Sequence, residues 1–211
     1  MGIFSTVTRK KLDMVVASLL IVAGAFGAVH ACKASVAQRM YRKAKFGFFL
    51  GHKGPVLKET PGVKGSQEAA AMAYHAAQLY PENYYFPSYV ASRALADAAV
   101  ASSSTGYSDS LKRAMHFSHL AVSLNPTGEE ARMLYVHSLA ESGRVDEAIE
   151  YWETQVVERE FWNESNHEML ARLYLRSSSP EHLKKAVGEM PFIRDAGLRK
   201  ELAGIRTILG P

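Results

Sequence analysis

The sequence predicts an all-α chain in which an N-terminal transmembrane helix precedes a short solenoid of helical hairpins. Three observations point there. Ala114 and Ala148 stand 34 residues apart, and the upstream set Ala69, Ala76, Leu79 and Pro81 repeats the internal spacing of Ala114, Ala121, Leu124 and Pro126. A period near 34 with this punctuation reads as stacked helix-turn-helix units, none of which buries its apolar face alone. Met14–Val29 is apolar and carries no charged residue. The charge is also split: residues 1–53 hold nine Lys/Arg against Asp13, a net of +8, while the remaining 16 basic and 20 acidic residues leave −4. The overall charge of +4 therefore belongs to the membrane-flanking region and not to a nucleic-acid surface.

Residues 1–12 form a basic tail with Arg9, Lys10 and Lys11, and residues 13–32 form the transmembrane helix, read as a signal anchor. Met14 to Ala31 spans about 27 Å as a helix against a hydrocarbon core of roughly 30 Å, so flanking Lys11 and Lys33 have to snorkel. A buried soluble helix of this composition would need a larger core than a small repeat array offers. Three fates of the segment fit the residues: a retained anchor, a lipoprotein acylated at Cys32, or plain cleavage behind Val29-His30-Ala31. The retained anchor is the reading adopted, because Val29 and His30 are unusual in a lipoprotein signal. Orientation stays open. Lys/Arg counting favours cytoplasmic repeats, whereas a short basic tail before an apolar segment favours a periplasmic or exoplasmic repeat domain, the orientation adopted.

Residues 33–65 read as a basic juxtamembrane helix followed by a connector. Arg39, Arg42, Lys43 and Lys45 are candidates for contact with anionic lipid headgroups, each adding ~1 kcal/mol of attraction. A solvated helix face is the competing reading. Gly47–Gly65, punctuated by Gly51, Gly54, Pro55, Pro61 and Gly62, reads as a connector and not as continuous helix.

Residues 66–211 form the repeat domain. Leu134, Leu139, Ala148, Ile149, Trp152 and Val156 have the periodicity of two amphipathic helices packed as a hairpin. Gly143 fits the left-handed residue that ends the first helix, and Thr127 or Gly128 a cap followed by the acids Glu129 and Glu130. Ser165 with Glu168 has the spacing of a capping box. Asn83–Val100 and Ser108–Pro126 form an earlier hairpin split by Ala101–Tyr107. Its insertion explains why Ala69 and Ala114 lie 45 residues apart instead of 34.

These residues resemble the tetratricopeptide repeat (TPR) family. The stretch Glu129–Phe161 carries the family's pattern best, with Tyr135 and Leu139 at large inward positions, the turn Ser142-Gly143-Arg144, and Ala148 with Trp152 as the A-x3-aromatic pair. Val136 stands where the family has a small residue, Glu160 where it has its closing proline, and Ser118 where an aromatic is usual. The resemblance implies a groove lined by first-helix residues: Tyr85, Ser88, Ser92 and Leu95, then Glu130, Met133 and His137, then Glu168 and Arg172. Met133 and His137 replace the residues with which chaperone-binding members clamp a carboxylate.

No catalytic, cofactor-binding or metal constellation is complete. His116 and His119 have no third ligand in place, and His167-Glu168 ends at Ala171 where a zinc-protease motif needs histidine. The sequence thus implies a non-catalytic scaffold or adaptor without cofactors, binding a protein partner beside a membrane, with a permanent accessory subunit of a larger membrane complex as the alternative.

Overall fold

The computed structural model describes residues 3–50, 63–177 and 179–209, with side chains described at 14–42, 44, 71–177 and 179–209. Among them there are only helices and turns: α1 (Ile3–Leu50), α2 (Val63–Leu79), α3 (Tyr85–Ala99), α4 (Ser104–Leu124), α5 (Glu129–Glu141), α6 (Val145–Trp152), α7 (Glu164–Ser177), α8 (Pro180–Gly188) and α9 (Ala196–Leu209). A π-helical turn, Glu153–Val157, continues α6, and a 3-10 turn, Met190–Phe192, precedes α9. The chain divides into two compact units, Met1–Phe86 and Pro87–Pro211.

In the first unit, α1 is a single helix of 48 residues, about 72 Å long if straight. Its two halves have opposite surroundings. Met14–Val29 is exposed at every position, and Ser18 satisfies its hydroxyl within the helix by donating to the Met14 carbonyl at 2.8 Å. Farther along, Ala37, Tyr41 and Ala44 form a buried stripe at i, i+4 and i+7 that packs against α2, whose Ala73, Ala76 and Ala77 are buried. Methyl-sized side chains let the two backbones come close. Tyr41 then covers Phe86, ring centroids 5.1 Å apart, and Phe86 is fully buried.

The helix also runs farther than its punctuation predicts. Gly47–Leu50 is helical and α2 starts at Val63, so Gly47–Gly65 is not irregular throughout. An isolated glycine costs about 1 kcal/mol, which an already propagated helix absorbs. Gly51, Gly54, Pro55, Pro61 and Gly62 lie outside the described residues.

The second unit is a chain of antiparallel helices in which each packs on the next from α4 to α9. The polar run Ala101–Tyr107 does not form the loop expected of it. Ser103 accepts the Gly106 N–H at 3.1 Å and starts α4 at Ser104, so most of the insertion lengthens a helix of 21 residues. At the end of α5, Gly143 adopts φ 79°. The Arg144 N–H donates to the Leu139 carbonyl at 2.9 Å and the Gly143 N–H to that of Ala140 at 3.1 Å, the paired bonds of a Schellman ending. This closes the sharp turn into α6.

The core joins Leu139, Ala148, Ile149, Trp152, Val156, Leu170, Tyr174, Leu198 and Leu202. Trp152 is 1% exposed and donates its indole N–H to the Asn166 carbonyl at 2.9 Å, which ties α6 to α7. The capping box at Ser165 and Glu168 does not form. Asn163 is the cap instead, its Oδ1 accepting the Ser165 N–H at 3.1 Å and its carbonyl the Asn166 N–H at 3.0 Å. Ser165 lies two residues too late, already inside α7, because Asn163 reaches the free N–H groups first. α8 begins at Pro180 and is capped by Ser179, which accepts the His182 N–H at 3.0 Å.

Glu160, in the place of the closing proline, has a structural task. The buried Arg132 donates to it at 2.8 Å and Asn166 Nδ2 at 3.3 Å. The bond from Arg132 holds the Glu160 carboxyl below its usual pKa. A depressed carboxyl contributes stability above the unfolded value, and that contribution is lost as pH falls through the folded one. Glu160→Gln should cost about 2 kcal/mol near neutral pH, as loss of a charged hydrogen bond, and should flatten the acid side of the stability curve. Urea unfolding in detergent at stepped pH checks both. A variant as stable as the parent at neutral pH and with the same acid slope would contradict this role.

Candidate partner-binding site

In the second unit, the first helices of successive hairpins leave a cleft between α3 and α5. It has a volume of about 230 Å³ and is lined by Leu95, Ala98 and Ala99 of α3, Tyr107 of α4, and His137 and Glu141 of α5. The spacing of Leu95 and Ala98 puts both on one face of α3, and His137 and Glu141 are one turn apart on α5. A second cleft of about 500 Å³ adjoins it, with Leu111, Met115 and His116 of α4 on one side and Ser142 and Arg144 on the other. Tyr107 and Glu141 line both clefts, and the Tyr107 hydroxyl donates to the Glu141 carbonyl at 3.2 Å.

The electrostatics keep the smaller cleft weakly polar. Partial burial lowers the His137 pKa, against the opposing pull of Glu141. The Glu141 carboxylate is engaged by Arg176 at 2.7 Å, and that hydrogen bond lowers its pKa. An apolar wall, an imidazole and a carbonyl-bound phenol suit an apolar side chain with one hydrogen-bonding group. They hold no nucleophile paired with a base.

The residues expected in the groove do not share one surface. Leu95 and His137 share the cleft. Ser92 and Glu130 are exposed on α3 and α5, and Met133 is half-buried against the core. Ser88 is only 1% exposed and therefore offers no surface to a partner. It sits among the buried residues Pro87, Val90 and Ala91, where α3 is enclosed on more than one face. Tyr85 belongs to the first unit, 48% exposed, with its ring 4.1 Å from that of Tyr84.

Glu168 and Arg172 are committed inside the chain. One carboxylate oxygen of Glu168 accepts the backbone N–H groups of Arg194 and Asp195, both at 3.0 Å. Arg172 bonds Asp195 at 3.1 Å, and Asp195 in turn accepts the Leu198 N–H at 2.7 Å. Together they clip the start of α9 onto α7. On α1, Arg39 and Arg42 are exposed, and Arg39 reaches Ser35 Oγ at 3.5 Å. The side chains of Lys43 and Lys45 lie outside the described residues.

Two features escaped sequence reasoning. Tyr107 lies in the insertion, which reads as loop, although it is the insertion's one aromatic residue and so a visible signal. The other is an exposed aromatic patch of Phe161 (65%), Trp162 (69%) and Phe192 (48%). His167 supports it, stacked on Phe192 at 4.3 Å with Nε2 2.7 Å from the Phe161 carbonyl and Nδ1 2.6 Å from Glu189. Periodicity assigns aromatics to the core, so only the adjacent Phe-Trp pair in a turn hinted at exposure. Among the described residues, no three His, Cys, Asp or Glu side chains gather as a metal site.

If Glu168 is a clip, Glu168→Ala should loosen α9 by roughly 1–2 kcal/mol, the scale of a lost cap. Amide exchange at residues 194–199 should accelerate, with α5 and α6 unchanged. Unaltered exchange there would return Glu168 to the partner surface.

Neither family models nor curated proteins give a match to the chain. Among solved structures, it is similar to a thermophilic TPR protein of Thermus thermophilus, with a TM-score of 0.57 and 17% identity over 89% of this chain and 95% of that one. At this identity the likeness speaks to architecture alone. The fold of this chain is TPR-like.

Proposed function

We propose that the protein is a non-catalytic scaffold or adaptor, held at a membrane by α1, which binds a protein partner on the face formed by α3 and α5. The observation that carries this reading is the weakly polar cleft at Leu95, Tyr107 and His137, set between successive first helices of a TPR-like array. Stacked helical hairpins present extended surfaces for partners, and the repeat array is taken to comprise residues 66–211. Support for the anchor comes from one helix long and apolar enough to cross a bilayer, none of whose apolar window is buried in the protein. We read it as a retained signal anchor with the repeats periplasmic or exoplasmic.

The length of α1 bears on lipid contact. With the apolar run ending near His30, Arg39 and Arg42 stand about 13 and 18 Å farther along the helix axis, and Lys45 about 22 Å. A headgroup layer is only about 5–8 Å thick. We read Lys33 as placed at the headgroups, and Arg39 and Arg42 as reaching them where α1 tilts and otherwise attracting an anionic leaflet across roughly one Debye length. The same reading extends by sequence to Lys43 and Lys45, whose side chains lie outside the described residues.

A second reading, a permanent subunit of a larger membrane complex, is favoured by the exposed patch Phe161, Trp162 and Phe192. Exposed aromatic clusters of this kind mark contact sites. The two readings differ in which surface holds partners. Leu95→Glu with His137→Ala should leave a folded protein in carbonate-washed membranes yet cut co-purifying partner by about tenfold or more, the scale of a central interface residue. Full partner recovery from this variant, with loss from Phe161→Ser/Trp162→Ser, would overturn the α3–α5 face in favour of the subunit reading.

A further inference from the structure

We propose that the segment Tyr80–Tyr85, the turn after α2 together with the first residue of α3, docks in the headgroup layer of the bilayer and so fixes how deeply α1 sits. The proposal rests on the reading that Met14–Ala31 crosses that bilayer. Its ligand is a phospholipid surface, and its residues all lie in the first unit.

The argument begins with the point at which α1 stops being bare. Every residue from Met14 to Val29 is exposed, and His30 is the first that is not. What covers His30 is the α2–α3 turn. The ring of Tyr80 meets it edge-on with centroids 5.2 Å apart, and a Glu82 carboxylate oxygen lies 3.6 Å from its Nε2. The turn is thus fastened to α1 at the residue where the apolar run gives out. Contacts of this length place it within a layer about 5–8 Å deep at the edge of the hydrocarbon.

The order of residues along α1 matches that layer. Phe26, one turn before His30 and stacked on it at 6.3 Å, is 74% exposed, as suits a ring among acyl chains. Lys33 is three residues beyond, on the watery side. Tyrosine is favoured at such a boundary because its ring is apolar and its hydroxyl wants a polar partner. Tyr80 fits that position, and Tyr85 adds an exposed ring backed by Tyr84. Glu82, with 66% of its side chain exposed, sets the limit in the other direction. An ionised carboxylate is strongly disfavoured in hydrocarbon, so the turn settles at the headgroups and no deeper.

The test uses the full-length protein with Cys32→Ser, reconstituted in vesicles of phosphatidylcholine and phosphatidylglycerol. Single cysteines introduced by Pro81→Cys, Leu20→Cys or Arg42→Cys carry an environment-sensitive fluorophore, with Glu82 left in place. Quenching is read from nitroxides placed on the headgroup or deep in the acyl chain. The label at position 81 should be quenched by headgroup nitroxide several-fold more than the label at 42, and the label at 20 by acyl nitroxide. Equal quenching at 81 and 42, with position 20 deep, overturns the docking while leaving the span intact, and the tyrosines then form a protein-contact surface. A label at 20 untouched by acyl nitroxide overturns the span itself and the docking with it.

Discussion

The closeness of the helices sets everything else in this molecule. Ala37, Ala73 and Ala76 in the first unit, and Ala91, Ala114, Ala121, Ala131, Ala148, Ala171 and Ala186 in the second, have no exposure at all. A methyl group at a crossing lets backbones approach as a larger side chain would not. Added volume at such a point forces off-rotamer packing that costs about 1–3 kcal/mol. The large residues then have defined places beside the crossings. Trp152 lies between α6 and α7 with its N–H satisfied by Asn166, and Leu139 and Leu202 fill the layers around it. The clefts at Leu95 and at Met115 are what remains at the surface once that packing is complete.

The same small residues give α1 its double character. The helix has one backbone ladder from Ile3 to Leu50 but two kinds of surroundings. Over Met14–Val29 the side chains are uncharged, nearly all apolar, and exposed, whereas Ala37, Tyr41 and Ala44 are packed on α2. A continuous helix between these stretches transmits position. Where the apolar half sits in a bilayer dictates the height of α2 above it, without any flexible linker at residues 30–44. On the proposed reading of α1 as an anchor, the anchor is thereby packed into the first unit and is not a mere tether.

The parts legible in the sequence were those set by spacing. The 34-residue step, the left-handed Gly143 and the alanine–tryptophan pair each follow from a local rule, and each has its counterpart in the packing. What was not legible depended on which of several partners wins. Ser103 turned a polar run into the first turn of α4, and Asn163 displaced Ser165 as a cap, because capping is decided by which side chain reaches the free N–H groups first. Among the groove residues that the family resemblance implied, Leu95 and His137 line one cleft. Register alone gave no sign that α9 would draw Glu168 and Arg172 into its own start, nor that α3 would be enclosed deeply enough to bury Ser88. Those outcomes depend on helices distant in sequence, which periodicity does not see.

The central claim is that one uninterrupted helix serves both the bilayer and the packing of the first unit. Amide hydrogen exchange across residues 14–44 of the protein in lipid nanodiscs tests it most directly. The account predicts continuous protection through His30 and on into the Ala37–Ala44 stripe, without a fast-exchanging gap. A break of rapid exchange at residues 30–36, flanked by protection on both sides, would show a hinge there, and would contradict the claim that the anchor sets the height of α2.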